Sequence, residues 1–370
     1  MDEKIVLFSE EDTMFRLMAT ALNGEPSQKA SDALHYFFGD DIHAQLEYLT
    51  SLPSTLGLPQ GMRGIICDDE NELTKLILDA DYLVCERTEV SHDLMKGGGT
   101  RLKFIQKFGG DYKNVDIQAA QELGIPVAYQ RRVSTISVRE HVLSLIFSLS
   151  RNLLYAHRAA IDRKNANDGL RSEGPPRIKF NWGKVPNIQL VEGKKLGLVG
   201  FGENGIEVAM AAHAVGMEIL YYQRHRASQE REKLVDAKYV PSLEELVQTA
   251  DFTSIHVPYG PPTEKMFNAK ILSQMKPTAY LISTSRGGII DEKALYDVLR
   301  QKKIAGAALD VYRWEPVPSD CPLLDLDNVL WATHNAGGAG EFLLQEVHDV
   351  LANIARVIRK EEPEYLVGTA

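Results

Sequence analysis

Lys195-Leu196-Gly197-Leu198-Val199-Gly200-Phe201-Gly202-Glu203-Asn204-Gly205-Ile206 is the stretch that decides the fold. Its opening residues read as a buried strand, and Ile206 to Val215 continues as a helix. A strand apolar on both faces belongs in a parallel sheet covered by helices. In a strand–turn–helix of this kind the first glycine makes the tight turn. The second lets the backbone approach a pyrophosphate, and the third lets the helix pack close to the strand. The helix N-terminus adds free N–H groups for the phosphates. Glycine spacing alone is weak evidence and fits any glycine-rich loop. Strand before, helix after and a βαβ continuation point to a dinucleotide site. Gly200, Gly202, Asn204 and Gly205 are its expected contacts. Glu203 sits awkwardly inside the turn and is expected to face solvent.

Outward from the turn, an α/β pattern fills the second half. Strands are expected at 196–200, 218–222, 238–240, 252–257, 279–284, 305–309 and 329–332, with helices between most of them, such as 291–302. The first ~130 residues repeat the pattern, with strands at 4–8, 64–67, 81–85, 102–105 and 126–129. A helical stretch at 27–52 makes this half long for its type. Ser134 to Asn152 reads as a long helix with Val138, His141, Val142, Leu145, Ile146 and Leu149 on one face. Residues 163–191 are polar and carry Gly174-Pro175-Pro176, as a surface excursion would. The chain closes in a helix at about 341–359. His141, His213 and His348 fall in helical patterns and read as packing residues.

At 370 residues the chain is long enough for two domains. An apolar fraction of 44% and a charged fraction of 25% are those of a globular protein, and the longest apolar runs are too short to span a bilayer. Met1-Asp2-Glu3-Lys4 leads straight into an apolar strand, so no secretory leader is expected. Three scattered cysteines, Cys67, Cys85 and Cys321, have no metal-ligand spacing and fit reduced thiols in a cytoplasmic protein. No cluster of His, Cys and carboxylates suggests a metal. A net charge of −10 disfavours nucleic acid but leaves room for a small anionic ligand met by locally concentrated positive charge.

Dinucleotide selectivity is set about 20 residues on, at the end of the next strand, where a carboxylate binds the ribose hydroxyls of NAD. Here that strand ends in Gln223-Arg224-His225-Arg226. An amide cannot repel a 2′-phosphate, and a guanidinium attracts one. NADPH is therefore the expected cofactor, with NAD possible, and Gln223 and Arg224 are the expected determinants. Further along, Arg286 follows a strand end in Ser285-Arg286-Gly287-Gly288. Its fork can grip a carboxylate and polarise a neighbouring carbonyl. His334 can give or take a proton, and Glu315 can hold its imidazole in place. Singly, each reads as well as an ordinary surface or loop residue. Beside a dinucleotide turn they form the equipment for hydride transfer to a 2-oxo acid.

These residues resemble the D-isomer-specific 2-hydroxyacid dehydrogenases, from about Leu102 onward. The matching segments are Leu102-Lys103-Phe104-Ile105-Gln106, Gly124-Ile125-Pro126, Glu140-His141, Arg286-Gly287-Gly288-Ile289-Ile290-Asp291, Ala307-Ala308-Leu309-Asp310 and His334. The resemblance implies an α/β protein of two Rossmann-like parallel-sheet domains with the active site in the cleft between them. One is a flavodoxin-like substrate domain (1–131 with 337–370). The other is a dinucleotide-binding domain (132–336). It assigns Arg286, Glu315 and His334 to catalysis and adds His256, Val257, Pro258, Ser285 and Asp310 to the cofactor contacts. Gly109, Gly110 and Asp111 resemble the loop that receives the substrate carboxylate, although Asp111 stands where family members usually carry glycine. Arg131 and Arg132 replace a common Pro-Gly and can add charge for a second anionic group or sit as a solvated loop. Trp314 can wall the pocket. A homodimer through the helix near 134–152 is also implied. Two other readings stay open: a dinucleotide-sensing binding protein of corepressor type, and oxidation of a non-standard donor such as phosphite.

Overall fold

The computed structural model describes residues 4–67, 69–162, 180–338 and 340–368, apart from the side chain at 341. Residues 163–179 of the expected surface excursion lie outside them; 180–191 form no helix or strand. The chain divides into two units, Met1–Thr135 with Gly338–Ala370, and Ile136–Gly337.

The first unit holds strands β1 (Ile5–Phe8), β2 (Arg63–Ile66), β3 (Tyr82–Cys85), β4 (Phe104–Lys107) and β5 (Val127–Tyr129). They form one parallel sheet in the order β2-β1-β3-β4-β5, the flavodoxin-like order. One face carries Phe8, Val84 and Phe104, covered by Phe15, Leu17, Leu34, Leu49 and the stripe Val347, Val350, Leu351 and Ile354 of the last helix, Gly340–Ile358. That spacing puts the four side chains on one side of a helix. The other face carries Leu7, Leu83, Ile105 and Val127 against Leu73, Met95 and Ala119.

The 27–52 stretch becomes two helices, Gln28–Phe38 and His43–Thr55, broken at Gly39 with φ +84. Both send leucines into the core, so the extra length packs. Strand β4 lies two residues beyond the expected 102–105. Gln106 and Lys107, too polar to read as core, are buried in it. Asn353 donates to Gln106 Oε1 at 2.9 Å, and Lys107 Nζ donates to the Phe108 carbonyl at 2.8 Å.

The second unit holds β6 (Lys195–Val199), β7 (Glu218–Tyr222), β8 (Lys238–Tyr239), β9 (Phe252–Ile255), β10 (Tyr280–Ser283), β11 (Gly306–Leu309) and β12 (Val329–Trp331). All pair in parallel, in the order β12-β11-β10-β9-β6-β7-β8. This is the Rossmann order with one added edge strand, and its direction reverses between β6 and β9. Val142, Leu145 and Ile146 of helix Val133–Arg151 pack on Leu196, Leu198, Phe201 and Val208 on one face. Leu246, Phe267, Leu272 and Leu295 cover the other. Both units are Rossmann-like α/β folds.

Candidate active site

Parallel strands bring their carboxyl ends to one edge, and ligands gather where the strand order reverses. The glycine turn sits there, after β6. Gly200 has φ +99, and a Cβ on it would lie 2.7 Å from the His256 carbonyl oxygen. A Cβ on Gly205 would lie 2.3 Å from the Gly200 carbonyl oxygen. Both glycines are demanded by the fold itself. Gly202 differs: it is exposed, and a Cβ there meets nothing within 4 Å. Helix Glu203–Ala214 starts at this point with no side-chain cap on its free N–H groups, and Asn204 lies in its first turn. Open space over Gly202 beside an uncapped helix N-terminus fits a pyrophosphate. Glu203 is half-buried rather than fully in solvent.

His256-Val257-Pro258 continues β9 alongside this turn. Burial holds the His256 imidazole down at about 4. It is therefore neutral at physiological pH, with Nε2 2.9 Å from Ser254 Oγ. Ser285 Oγ donates to the Ile255 carbonyl at 2.8 Å and ties the end of β10 to that of β9.

At the end of β7, Gln223 Oε1 accepts the Phe201 N–H at 3.1 Å, linking this corner to the glycine turn. Arg226 is committed elsewhere. Its fork grips Glu232 at 2.8 and 2.9 Å, and Tyr221 OH donates to the same carboxylate at 2.5 Å. Those bonds from Arg226 and Tyr221 hold the Glu232 carboxyl down at about 2. Arg224 is exposed and, among the described residues, has no hydrogen-bond or ion-pair partner.

A cleft of about 440 Å³ brings together Arg286, Glu315 and His334, with Tyr259, Lys265 and Trp314 among its other walls. His334 Nδ1 lies 2.5 Å from Glu315 Oε2, and Glu315 Oε1 accepts the Tyr312 N–H at 2.9 Å. Arg286 donates to its neighbour's carbonyl, Ser285 O, at 2.7 Å and leaves the rest of its fork exposed. Gly287 lets this loop meet the next: a Cβ there would lie 1.9 Å from the Tyr312 carbonyl carbon.

His334 adopts φ +55, the left-handed region. That conformation costs a side-chain-bearing residue roughly 1–2 kcal/mol. Asp310 offsets it. Fully buried at the end of β11, it accepts the N–H of Asn335 at 2.9 Å and of Ala336 at 3.1 Å, the two residues after His334. Asp310, expected among the cofactor contacts, thus spends both carboxylate oxygens as a strand-end cap. Tyr312 carries no functional signal in the sequence. Its hydroxyl reaches the Leu309 carbonyl at 2.7 Å and also the Ala332 carbonyl, clasping the ends of β11 and β12.

Gly109, Gly110 and Asp111 belong to the first unit, just after β4. Gly109 has φ +102, and Asp111 Oδ2 is 3.4 Å from Lys113 Nζ. Arg132 is taken up by Glu86 and stacks 4.7 Å above the Phe108 ring, so it does not stand free for a second anionic group. Among the described residues no group of three or more His, Cys, Asp or Glu is placed to hold a metal ion, and no helix is long and apolar enough to cross a membrane.

The two glycines separate binding from folding. Gly202→Ala should leave thermal stability within about 0.5 kcal/mol and weaken dinucleotide binding at least roughly tenfold in a fluorescence titration. Gly205→Ala should destabilise the fold itself, by roughly 1–3 kcal/mol. Unchanged dinucleotide affinity in Gly202→Ala would mean that this turn does not carry the pyrophosphate.

Comparison with known proteins places the chain in a family. Residues 143–336 match the family model described as D-isomer specific 2-hydroxyacid dehydrogenase, NAD binding domain. A glyoxylate reductase of Korarchaeum cryptofilum is 34% identical over 295 residues, covering 79% of this chain and 84% of the relative. A D-3-phosphoglycerate dehydrogenase of Methanocaldococcus jannaschii is 35% identical over 300 residues, covering 81% of this chain and 54% of that longer relative. Among solved structures, the D-mandelate dehydrogenase of Rhodotorula graminis shares the fold with a TM-score of 0.58 at 24% identity, covering 100% of this chain and 99% of its own. The chain belongs to the D-isomer specific 2-hydroxyacid dehydrogenases, a family that transfers a hydride between a nicotinamide dinucleotide and 2-hydroxy or 2-oxo acids.

Proposed function

We propose that this chain is an NADPH-preferring reductase that converts a small 2-oxo acid to its D-2-hydroxy acid, with His334, Glu315 and Arg286 as its working residues. The observation that carries the reading is the 2.5 Å contact between His334 Nδ1 and Glu315 Oε2, in the same cleft as the exposed fork of Arg286. Bound nicotinamide supplies the hydride. Arg286 grips the substrate carboxylate and draws electron density from its carbonyl. Glu315 fixes the imidazole through Nδ1, which leaves Nε2 to give its proton to the carbonyl oxygen during reduction, or to take it back in the reverse direction. Tyr312 in turn orients Glu315 through its backbone N–H. A similar glyoxylate reductase supports a small 2-oxo acid as the substrate class.

NADPH preference rests on the end of β7. Gln223 there carries no charge to repel a 2′-phosphate, and its carbonyl oxygen is turned to the glycine turn. Since Glu232 holds Arg226, Arg224 is, among the described residues, the cation left without a partner at this corner. A homodimer belongs to the same reading. Phe147, Leu153, Leu154, Tyr155 and Ile161 leave a run of large apolar side chains exposed along helices Val133–Arg151 and Leu153–Ile161. Light scattering of the purified protein should return twice the chain mass, and the mass of one chain would remove the dimer from the proposal.

His334→Ala should abolish turnover of every 2-oxo acid while leaving NADPH binding nearly intact, because general acid–base help is worth ~10²–10⁴-fold. Steady-state kinetics beside a fluorescence titration read the two quantities. Turnover within about threefold of wild type, far short of that loss, would remove His334 from the chemistry. For the cofactor, one charge-assisted contact contributes roughly 1.5–3 kcal/mol, or about 10- to 150-fold. Wild type should therefore favour NADPH over NADH at least roughly tenfold in kcat/KM, and Arg224→Ala should erase most of that ratio. Equal use of both cofactors by wild type contradicts the preference; a ratio unmoved by Arg224→Ala contradicts the assignment to Arg224.

A further inference from the structure

In the sequence His141 reads as a packing residue of helix Val133–Arg151. The fold gives it a polar partner instead. Its Nε2 lies 3.4 Å from Asp310 Oδ1, and the ring is largely enclosed. The contact is long and poorly aligned for a hydrogen bond, and Nε2 is buried without a better partner among the described residues. An attraction between the imidazole and the buried carboxylate accounts for the pair. The same Oδ1 accepts the Asn335 N–H, and Oδ2 accepts the Ala336 N–H. His334 directly precedes those two residues. A short chain of contacts therefore runs from the helix, through one carboxylate, to the backbone that carries the imidazole of His334. Burial pushes the Asp310 carboxyl up, but His141 and the two backbone N–H groups outweigh it and hold it below its ordinary range.

We propose that His141 is a positioning residue for His334: through Asp310 it fixes the left-handed backbone at His334 and hence the direction in which Nε2 is presented. The proposal rests on the reading of His334 as the proton donor. A buried carboxylate that loses one of its partners shifts toward those that remain, and a displacement of about 1 Å in a reacting group can lower a rate up to 10²-fold. The neighbouring charges are already occupied. Arg139 pairs with Glu207 at 3.1 Å and lies 3.5 Å from Glu140, so the charged side chains flanking His141 are engaged with each other and with Glu207. Glu315, Arg286, Glu264, Lys265 and Arg313 are the charged groups lining the cleft around His334, and none is altered by a change at His141.

The test compares His141→Leu, which keeps bulk and loses the polar edge, with His141→Gln, which restores an N–H donor. Two readouts are needed: kcat with a 2-oxo acid and NADPH, and the downfield proton resonance of His334 Nδ1, assigned by its disappearance in His334→Ala. The leucine variant should lose about tenfold or more in kcat, with a shifted or broadened Nδ1 resonance and unchanged NADPH binding. The glutamine variant should recover most of both signals. Wild-type kcat and an unmoved resonance in the leucine variant would overturn the proposal, as would a glutamine variant no better than leucine. If His141→Leu does not fold, His141→Ala replaces it in the same comparison. The two levels of the account fail separately. A fully active His334→Ala defeats the proton-donor reading, whereas an inactive His334→Ala beside a fully active His141→Leu defeats the positioning role alone.

Discussion

Every strand of the second unit runs the same way, and the site depends on that constraint. Parallel pairing places the ends of β6, β7, β9, β10, β11 and β12 along one edge of the sheet. The glycine turn, Gln223, His256, Ser285, Asp310 and His334 all follow those ends within a few residues. Residues scattered over more than a hundred positions of sequence are collected because each strand delivers its next few residues to the same side. The loops are then tied together by contacts that leave no room for larger side chains. Gly200 presses on His256, Gly205 on Gly200, and Gly287 on Tyr312.

Charge is arranged around this edge by occupation as much as by placement. The protein is acidic overall, with a net charge of −10, so anion recognition requires local cations left free of partners. Glu232 takes Arg226, and Glu86 takes Arg132. Arg286 spends part of its fork on its own loop and keeps the rest exposed, while Arg224 stands exposed beside the Gln223 corner. The carboxylates are similarly divided. Asp310 is spent on backbone N–H groups, and Glu315 on Tyr312 and His334.

Much of this was legible in the sequence, because it is written in periodicity and in special residues. Apolar runs bounded by turns located the strands of both sheets, and the glycine turn fell after β6 as its spacing required. Arg286, Glu315 and His334 stand out in the sequence as polar residues after strand ends, and they line one cleft. What stayed hidden depends on tertiary partners. Gln106 and Lys107 are polar, so the sequence places β4 two residues early; Asn353, far along the chain, makes Gln106 tolerable in the core. Arg224 and Arg226 are equivalent as letters, and the carboxylate of Glu232 distinguishes them. His141 reads as one more member of a helical stripe, and only the fold sets it against Asp310. Tyr312 had no signal beyond its place between Asp310 and Glu315.

The central claim is that the cleft around His334 and Arg286 reduces a 2-oxo acid at the expense of NADPH. The most direct measurement is turnover of the purified protein with a panel of 2-oxo acids, following NADPH and NADH consumption at 340 nm and the handedness of the product. The account predicts steady NADPH consumption with at least one small 2-oxo acid, a D-2-hydroxy acid as product, and slower use of NADH. Tight NADPH binding with no consumption on any member of the panel, or an L-product, would contradict it.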